Sequence, residues 1–279
     1  MEKIFETIKK RYSVRTYETQ PVESEKLQKL NEFLALNTKG PFESKVRFKL
    51  VELSEDTVTE LKKLVSYGNV KGARMFIAGS VVKGKYAMED FGYCMEKNIL
   101  MATSLSLGTV WLGGSLNRST FASILGASDE EVIPAVTPLG YPSDKRSVVD
   151  KLIHTLSGGK NRKEFGELFY SENLSTPLDK AICGKYYDAL EAVRLAPSAS
   201  NKQPWRIIKE KDKNNFHFYL NEHPTNNVMK DIKIQNNDMG IAMCHFELTA
   251  REQGLEGAWH VDRPDLPMGN LVYIVSWKG

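Results

Sequence analysis

The chain has 279 residues, of which 41% are hydrophobic and 26% charged, and its formal net charge is +3. That length allows two domains or one large intertwined unit, and the composition is that of an ordinary globular protein able to bury a sizeable core. So small a net charge excludes the electrostatic footprint of a nucleic-acid binder and points instead to small-molecule partners.

In chain order, hydrophobic periodicity predicts helices over 2–10 and 24–37, a strand over 46–53, a helix over 56–65 and a strand over 73–83. A long helix over 87–106 follows, apolar through Ile99, Leu100, Met101, Ala102 and Leu105, as expected of a buried spine. It leads into a strand over 108–113, a short helix after Asn117, and a strand over 131–139 ending in Gly140-Tyr141-Pro142. From Pro142 to about Thr176 the sequence is rich in Lys, Arg, Ser and Gly and reads as a connection. Beyond it come a helix over 178–194, a loop from Pro197, strands over 205–210 and 215–220, a long helix over 236–253, and strands over 257–261 and 270–277.

The second half repeats the first at a fixed offset of 148 residues. Asp90 falls on Asp238, Gly92 on Gly240, Ala102 on Ala250, Leu107 on Leu255 and Trp111 on Trp259 in one gapless register. Trp is rare, with four in the chain, so the paired tryptophans weigh more than the paired Ala and Leu. Self-similarity at a fixed period is the mark of a duplicated unit. The division expected is a first lobe over 1–150, a connecting segment over 151–176 and a second lobe over 177–279.

Two segments carry polar chemistry, one in each half. Arg11-Tyr12-Ser13-Val14-Arg15 offers two guanidiniums and hydroxyls within five residues, and Arg gives bidentate, permanently charged hydrogen bonds to phosphate. Pro197-Ser198-Ala199-Ser200-Asn201-Lys202-Gln203-Pro204-Trp205 offers amides and hydroxyls, which both donate and accept and so suit the polar edge of a ring system. Taken alone, the first is equally a solvated basic face with Lys9 and Lys10, and the second an ordinary helix stop. Trp205 reads as core at the start of a strand.

Other chemistries lack their patterns. The histidines at 154, 217, 223, 245 and 260 show no HxxxH or HExxH spacing, so no metal site is expected. There is no GxSxG elbow, no complete phosphate loop around Lys83-Gly84-Lys85 or Gly159-Lys160, and no GxGxxG after a strand. Cys94, Cys183 and Cys244 form no CxxC pair, which fits a reducing cytoplasm. The Met-Glu-Lys start lacks a signal-peptide pattern and no apolar run approaches the roughly 20 residues that span a bilayer, so a soluble, cytoplasmic protein is expected.

Together RYSVR, PSASNKQPW, the Asp-x-Gly long helix, the Gly-Thr-Val-Trp-Leu-Gly-Gly turn and the final Gly-Tyr-Pro resemble the FMN-dependent nitroreductase family, in a tandem form with both lobes of the usual homodimer in one chain. The resemblance implies an α+β, three-layer sandwich whose mixed, mostly antiparallel sheet is flanked by helices, duplicated internally as a pseudo-dimer. It implies one FMN between the lobes, with Arg11, Tyr12, Ser13 and Arg15 from the first half and Pro197, Ser198, Ser200, Asn201 and Gln203 from the second. The family's late basic residue matches Arg162 of Arg162-Lys-Glu-Phe-Gly-Glu-Leu168, which lacks the pattern's proline, with Arg146 the rival. Gly113 and Gly114 would bring a backbone N–H close to the flavin N5, and Asn69 and Lys71 would place a donor near the flavin O2.

No catalytic side chain is called for. The expected activity is transfer of reducing equivalents from NAD(P)H to a nitroaromatic, quinone or similar acceptor in a ping-pong cycle, the cofactor doing the chemistry. A flavin-binding module without turnover, or a same-fold flavoenzyme such as a dehalogenase, is the alternative. With the dimer interface internal, the resemblance is compatible with a monomer.

Overall fold

The computed structural model describes residues 3–54, 70–114, 116–143, 161–224, 232–266 and 268–279. Its first half runs α1 (Ile4–Lys10), α2 (Ser24–Leu36), β1 (Val46–Glu52), β2 (Met75–Val82), α3 (Ala87–Ser104), β3 (Gly108–Thr109), α4 (Arg118–Leu125), β4 (Glu131–Val132) and β5 (Val136–Gly140). The second runs α5 (Phe165–Leu168), β6 (Phe169–Ser171), α6 (Lys180–Cys183), a 3-10 turn over Gly184–Tyr186, α7 (Tyr187–Leu195), β7 (Trp205–Lys209), β8 (Asn215–Leu220), α8 (Ile234–Glu252), β9 (Ala258–His260) and β10 (Val272–Lys278). The helix expected over 56–65 lies outside the described residues.

Each half builds one sheet. The first has the order β1-β2-β5-β3 with β4 also on β2, all antiparallel; the second has the order β6-β7-β8-β10-β9, antiparallel but for the β6–β7 pair. Both sheets are covered by helices, giving the mixed, mostly antiparallel α+β sandwich that the resemblance implied. Strand β2 shows why a continuous apolar run suits a central strand. Side chains alternate between faces, so Ile77 and Val81 enter the core against α3 while Phe76 and Ala78 enter a second cluster with Phe121 of α4.

α3 and α8 pack on each other at the centre, and one apolar core runs through both halves, from Phe91, Met95 and Ile99 of α3 to Met239, Ala242 and Phe246 of α8. Gly92 and Gly240 permit the approach. A Cβ at Gly92 would overlap the Asn237 carbonyl oxygen, and one at Gly240 the Glu89 carbonyl oxygen. The partners of the two contacts, Asn237 and Glu89, are themselves 148 residues apart. Hydrogen bonds from Asn236 Nδ2 to Glu89 Oε1 (2.6 Å) and from the Tyr93 hydroxyl to Glu247 Oε2 (3.0 Å) also join the two helices.

Local details differ from the sequence expectation. The strand over 131–139 is two pieces, because Pro134 donates no N–H to the ladder, and its register on β2 steps by one residue between β5 and β4. The helix over 178–194 breaks at Gly184, whose φ of 54° and ψ of −131° lie outside the helical region. The strand over 108–113 shortens to Gly108–Thr109, with Leu112 bridging to Val136. Within the expected connection, Phe169–Ser171 instead forms the edge strand β6, parallel to β7. Among the described residues, no helix is long and apolar enough to cross a membrane.

Candidate functional site

α1 carries the N-terminal motif across to the second half. It packs against α3, α7 and α8, and the Glu252 carboxylate at the end of α8 accepts from the backbone N–H groups of Ile4 and Phe5, filling donors that a helix start leaves unpaired. After α1 the chain is extended. Val14 N–H donates to the Thr109 carbonyl (2.8 Å), Lys71 N–H to the Arg15 carbonyl (2.8 Å) and Tyr17 N–H to the Lys71 carbonyl (2.8 Å). Because extended residues alternate, the buried Val14 turns inward while Ser13 and Arg15 share the opposite face; Tyr12 is exposed. Lys71 is thus joined to the motif through its backbone, whereas Asn69 and Arg146 lie outside the described residues.

The second-half loop is held in unusual backbone geometry. Ser200 (φ 49°), Asn201 (φ 53°) and Gln203 (φ 48°) all occupy the left-handed region, which non-glycine residues seldom enter and which costs on the order of 1–3 kcal/mol at each such position. Side chains impose it. Asp238 Oδ1 accepts from Ala199 N–H (3.0 Å), and Ser198 Oγ accepts from Gln203 N–H (2.8 Å) just beyond Pro197. Gln203 is buried and its Oε1 accepts from Lys163 N–H (2.8 Å), while Asn201 Nδ2 donates to the Asn161 carbonyl (2.9 Å). Trp205 is fully buried core, as its place at the head of β7 suggested.

Arg162 links this loop to the N-terminal motif. Its Nη1 donates to Asn201 Oδ1 (2.7 Å) and its Nη2 to the Leu195 carbonyl (2.9 Å). Burial first, then the nearby charges of Arg11 and Arg194, push the Arg162 guanidinium down to about 10. Arg11, with 6% of its side chain exposed, has its Nε 3.8 Å from Glu96 Oε1 and no hydrogen-bond partner there; burial lowers it too. Residues from opposite halves therefore form one buried cationic cluster. Arg194 is answered by Glu191 on the next turn, but the hydrogen bonds of Arg162 end on neutral oxygens. Such a cluster fits an anion, because like charges drawn out of water need a counter-charge.

Gly113 and Gly114 follow Trp111, whose indole N–H donates to Glu96 Oε2 (2.8 Å). The Gly113 carbonyl accepts from Arg118 Nη2, and Arg118 also donates to the Ile133 carbonyl (3.0 Å), bracing the turn. A Cβ at Gly113 would make only ordinary contacts, at 3.4 Å and beyond, and one at Gly114 would meet no protein atom within 4 Å. Neither has positive φ. Protein packing does not require glycine at either position, and the space beside Gly114 is open.

A protein-family profile described as "Putative TM nitroreductase" matches residues 3–250. The chain belongs to this nitroreductase family. As a nitroreductase it is an oxidoreductase by class. The crystal structure of a protein from Thermotoga maritima assigned to the nitroreductases aligns over 99% of this chain and 94% of its own, with 19% identity and a TM-score of 0.62, so the two share a fold. A protein of Archaeoglobus fulgidus named NADH dehydrogenase/NAD(P)H nitroreductase is 23% identical over 156 residues, 52% of this chain and 89% of its own length. A nitroreductase family protein from Clostridium novyi NT aligns over 53% of this chain and 89% of its own, with 24% identity and a TM-score of 0.44.

Sequence reasoning about this nitroreductase missed Glu96, His245 and Arg118, and used Asp238 only to set the repeat. One signal was available. Glu89, Asp90 and Glu96 sit on a helix that is apolar at most of its other positions and buried along nearly its whole length, and a carboxylate buried there must be paired or perturbed. Burial raises Glu89 to about 7 and Asp238 to about 8. Burial raises Asp90 as well, and its carboxylate accepts from the backbone N–H groups of Phe42 (2.9 Å) and Ser44 (2.8 Å).

Proposed function

We propose that the chain is an FMN-dependent oxidoreductase that passes reducing equivalents from NAD(P)H to a nitroaromatic, quinone or similar small acceptor. The observation that carries this reading is the Arg162 bridge, which brings the buried Arg11 of the first half and Asn201 of the second into one cationic cluster.

Arg11, Ser13, Arg15 and Arg162 would hold the phosphate, with Tyr12 at the exposed rim. Pro197, Ser198, Ser200, Asn201 and Gln203 would shape the loop beside the ring, and Gly113 and Gly114 would admit it closely. Lys71, and Asn69 before it, would supply a donor near the flavin O2. FMN, when bound, supplies two-electron chemistry between nicotinamide and acceptor. The chain's own part is binding and orientation. Asp238 and Ser198 hold the strained loop through the protein's own hydrogen bonds, which would reduce the ordering left to binding. NAD(P)H and the acceptor would use one open face in turn, a ping-pong cycle. The 148-residue register and the reciprocal Gly92 and Gly240 contacts support an internal duplication, with the interface of a two-lobed nitroreductase inside one cytoplasmic chain able to act as a monomer.

The first test is the visible absorption spectrum of the purified protein, with the released chromophore identified and counted. About one FMN per chain, reduced on adding NADH or NADPH, is expected. No flavin even after FMN is supplied would overturn the reading, and a bound flavin that neither nucleotide reduces would overturn the NAD(P)H assignment.

A further inference from the structure

Glu96 on α3 and His245 on α8 are both fully buried, and between them they meet Arg11 of the N-terminal motif, Trp111 before the Gly113 turn and Ala192 of α7. Glu96 Oε2 accepts from Trp111 at the head of the Gly113 turn, and Arg11 lies 3.8 Å from Oε1. His245 Nδ1 lies 2.9 Å from the Ala192 carbonyl oxygen on α7, the helix that feeds the Pro197 loop.

The protons of this pair can be assigned from its partners. A backbone carbonyl only accepts, so His245 Nδ1 carries hydrogen. His245 Nε2 stands 2.9 Å from Glu96 Oε1. With a bare imidazole nitrogen and an ionised carboxylate, two lone pairs would face each other across that gap, so a hydrogen lies between them. Whether nitrogen or oxygen holds it, the pair sums to zero charge.

We propose that Glu96 and His245 are a charge-neutral positioning pair that leaves Arg11 and Arg162 as two uncancelled positive charges, and so sets a preference for a phosphate monoester dianion over its phosphate-free counterpart. The proposal rests on the flavin reading above. Glu96 by itself would cancel one of the two guanidiniums, and His245 prevents that. Among the described residues no other carboxylate forms an ion pair with either arginine. The pair therefore acts on charge recognition while remaining inaccessible to ligand.

The test compares dissociation constants for FMN and riboflavin, measured by titrating the flavin-stripped full-length chain, in the unaltered protein, in His245→Gln and in Glu96→Gln/His245→Gln. His245→Gln leaves an ionised Glu96 beside Arg11, so the preference for FMN over riboflavin should fall on the order of tenfold, the scale of one unit charge in a protein interior. The double variant restores neutrality and should regain most of it. Equal weakening of both flavins by His245→Gln, or a double variant no better than the single one, would reduce the pair to packing and overturn the proposal. Absence of flavin binding by the unaltered chain would overturn this and the functional reading together, whereas binding without preference overturns this alone. Imidazole 15N NMR on the unaltered chain needs no variant. It should show Nε2 protonated or accepting from a carboxylic acid, and a bare Nε2 without a hydrogen-bond donor would refute the pairing.

Discussion

Gly92 of α3 and Asn237 of α8 meet backbone to backbone, with no room for a Cβ at the glycine. Gly92→Ala should therefore force the two central helices apart. Overpacking of this kind costs typically about 1–3 kcal/mol, and here the obstacle is a carbonyl oxygen that no rotamer change can move. Gly240→Ala, facing the Glu89 carbonyl, should behave alike. Urea unfolding midpoints check both, and unchanged midpoints would mean that the helix crossing adjusts freely.

Gly184 supplies a contrast in which backbone alone is at stake. Nothing lies within 4 Å of its would-be Cβ, yet its φ is 54° and its ψ −131°. Gly184→Ala should cost about 1–3 kcal/mol through strain. Gly84→Ala has the same open space without positive φ and should change stability by less than about 0.5 kcal/mol. Equal effects at the two positions would count against the conformational account.

Asp238 makes stability depend on pH in a direction opposite to that of a salt-bridged carboxylate. Burial raises it from the usual 3.8 to about 8, and its Oδ2 has no hydrogen-bond partner. Between those values the folded chain holds a proton that the unfolded chain has released, so this contribution is full below pH about 4 and is lost as pH rises through about 8. Glu89, raised to about 7, acts in the same direction. Denaturation midpoints should accordingly decline from pH 5 to pH 8, and Asp238→Asn should flatten the decline. A variant with an unaltered slope would place the proton uptake elsewhere.

Arg162→Ala should weaken FMN binding by about 1.5–3 kcal/mol, the worth of a hydrogen bond to a charged group. Arg162→Lys should recover only part, since an ammonium cannot fork between Asn201 and Leu195 as the guanidinium does. Isothermal titration with FMN decides it. Unchanged affinity would move the late phosphate contact to another basic residue, Arg146 being the first to try.

Much of the fold was legible because its signals are local. α2, β8 and α8 fall within two residues of their expected bounds, since periodicity reports directly which face of an element is buried. Where Pro134 divides a strand and Gly184 a helix, the breaking residue is visible but the choice to break is not. Both residues are tolerated near element ends, and only the neighbouring strands or helices fix the outcome.

The sequence by itself determined the family, through two polar motifs in opposite halves and the 148-residue register between the long helices. Only the tertiary structure decided how those parts meet: that Arg162 ties Asn201 to the neighbourhood of Arg11, that Asp238 holds Ala199, and that Glu96 finds His245 from 149 residues away. The reason is physical. A motif states what a segment can offer, whereas burial and pairing depend on which distant groups the packing of α1, α3, α7 and α8 brings against it, and removal from water then sets the charge that each group carries.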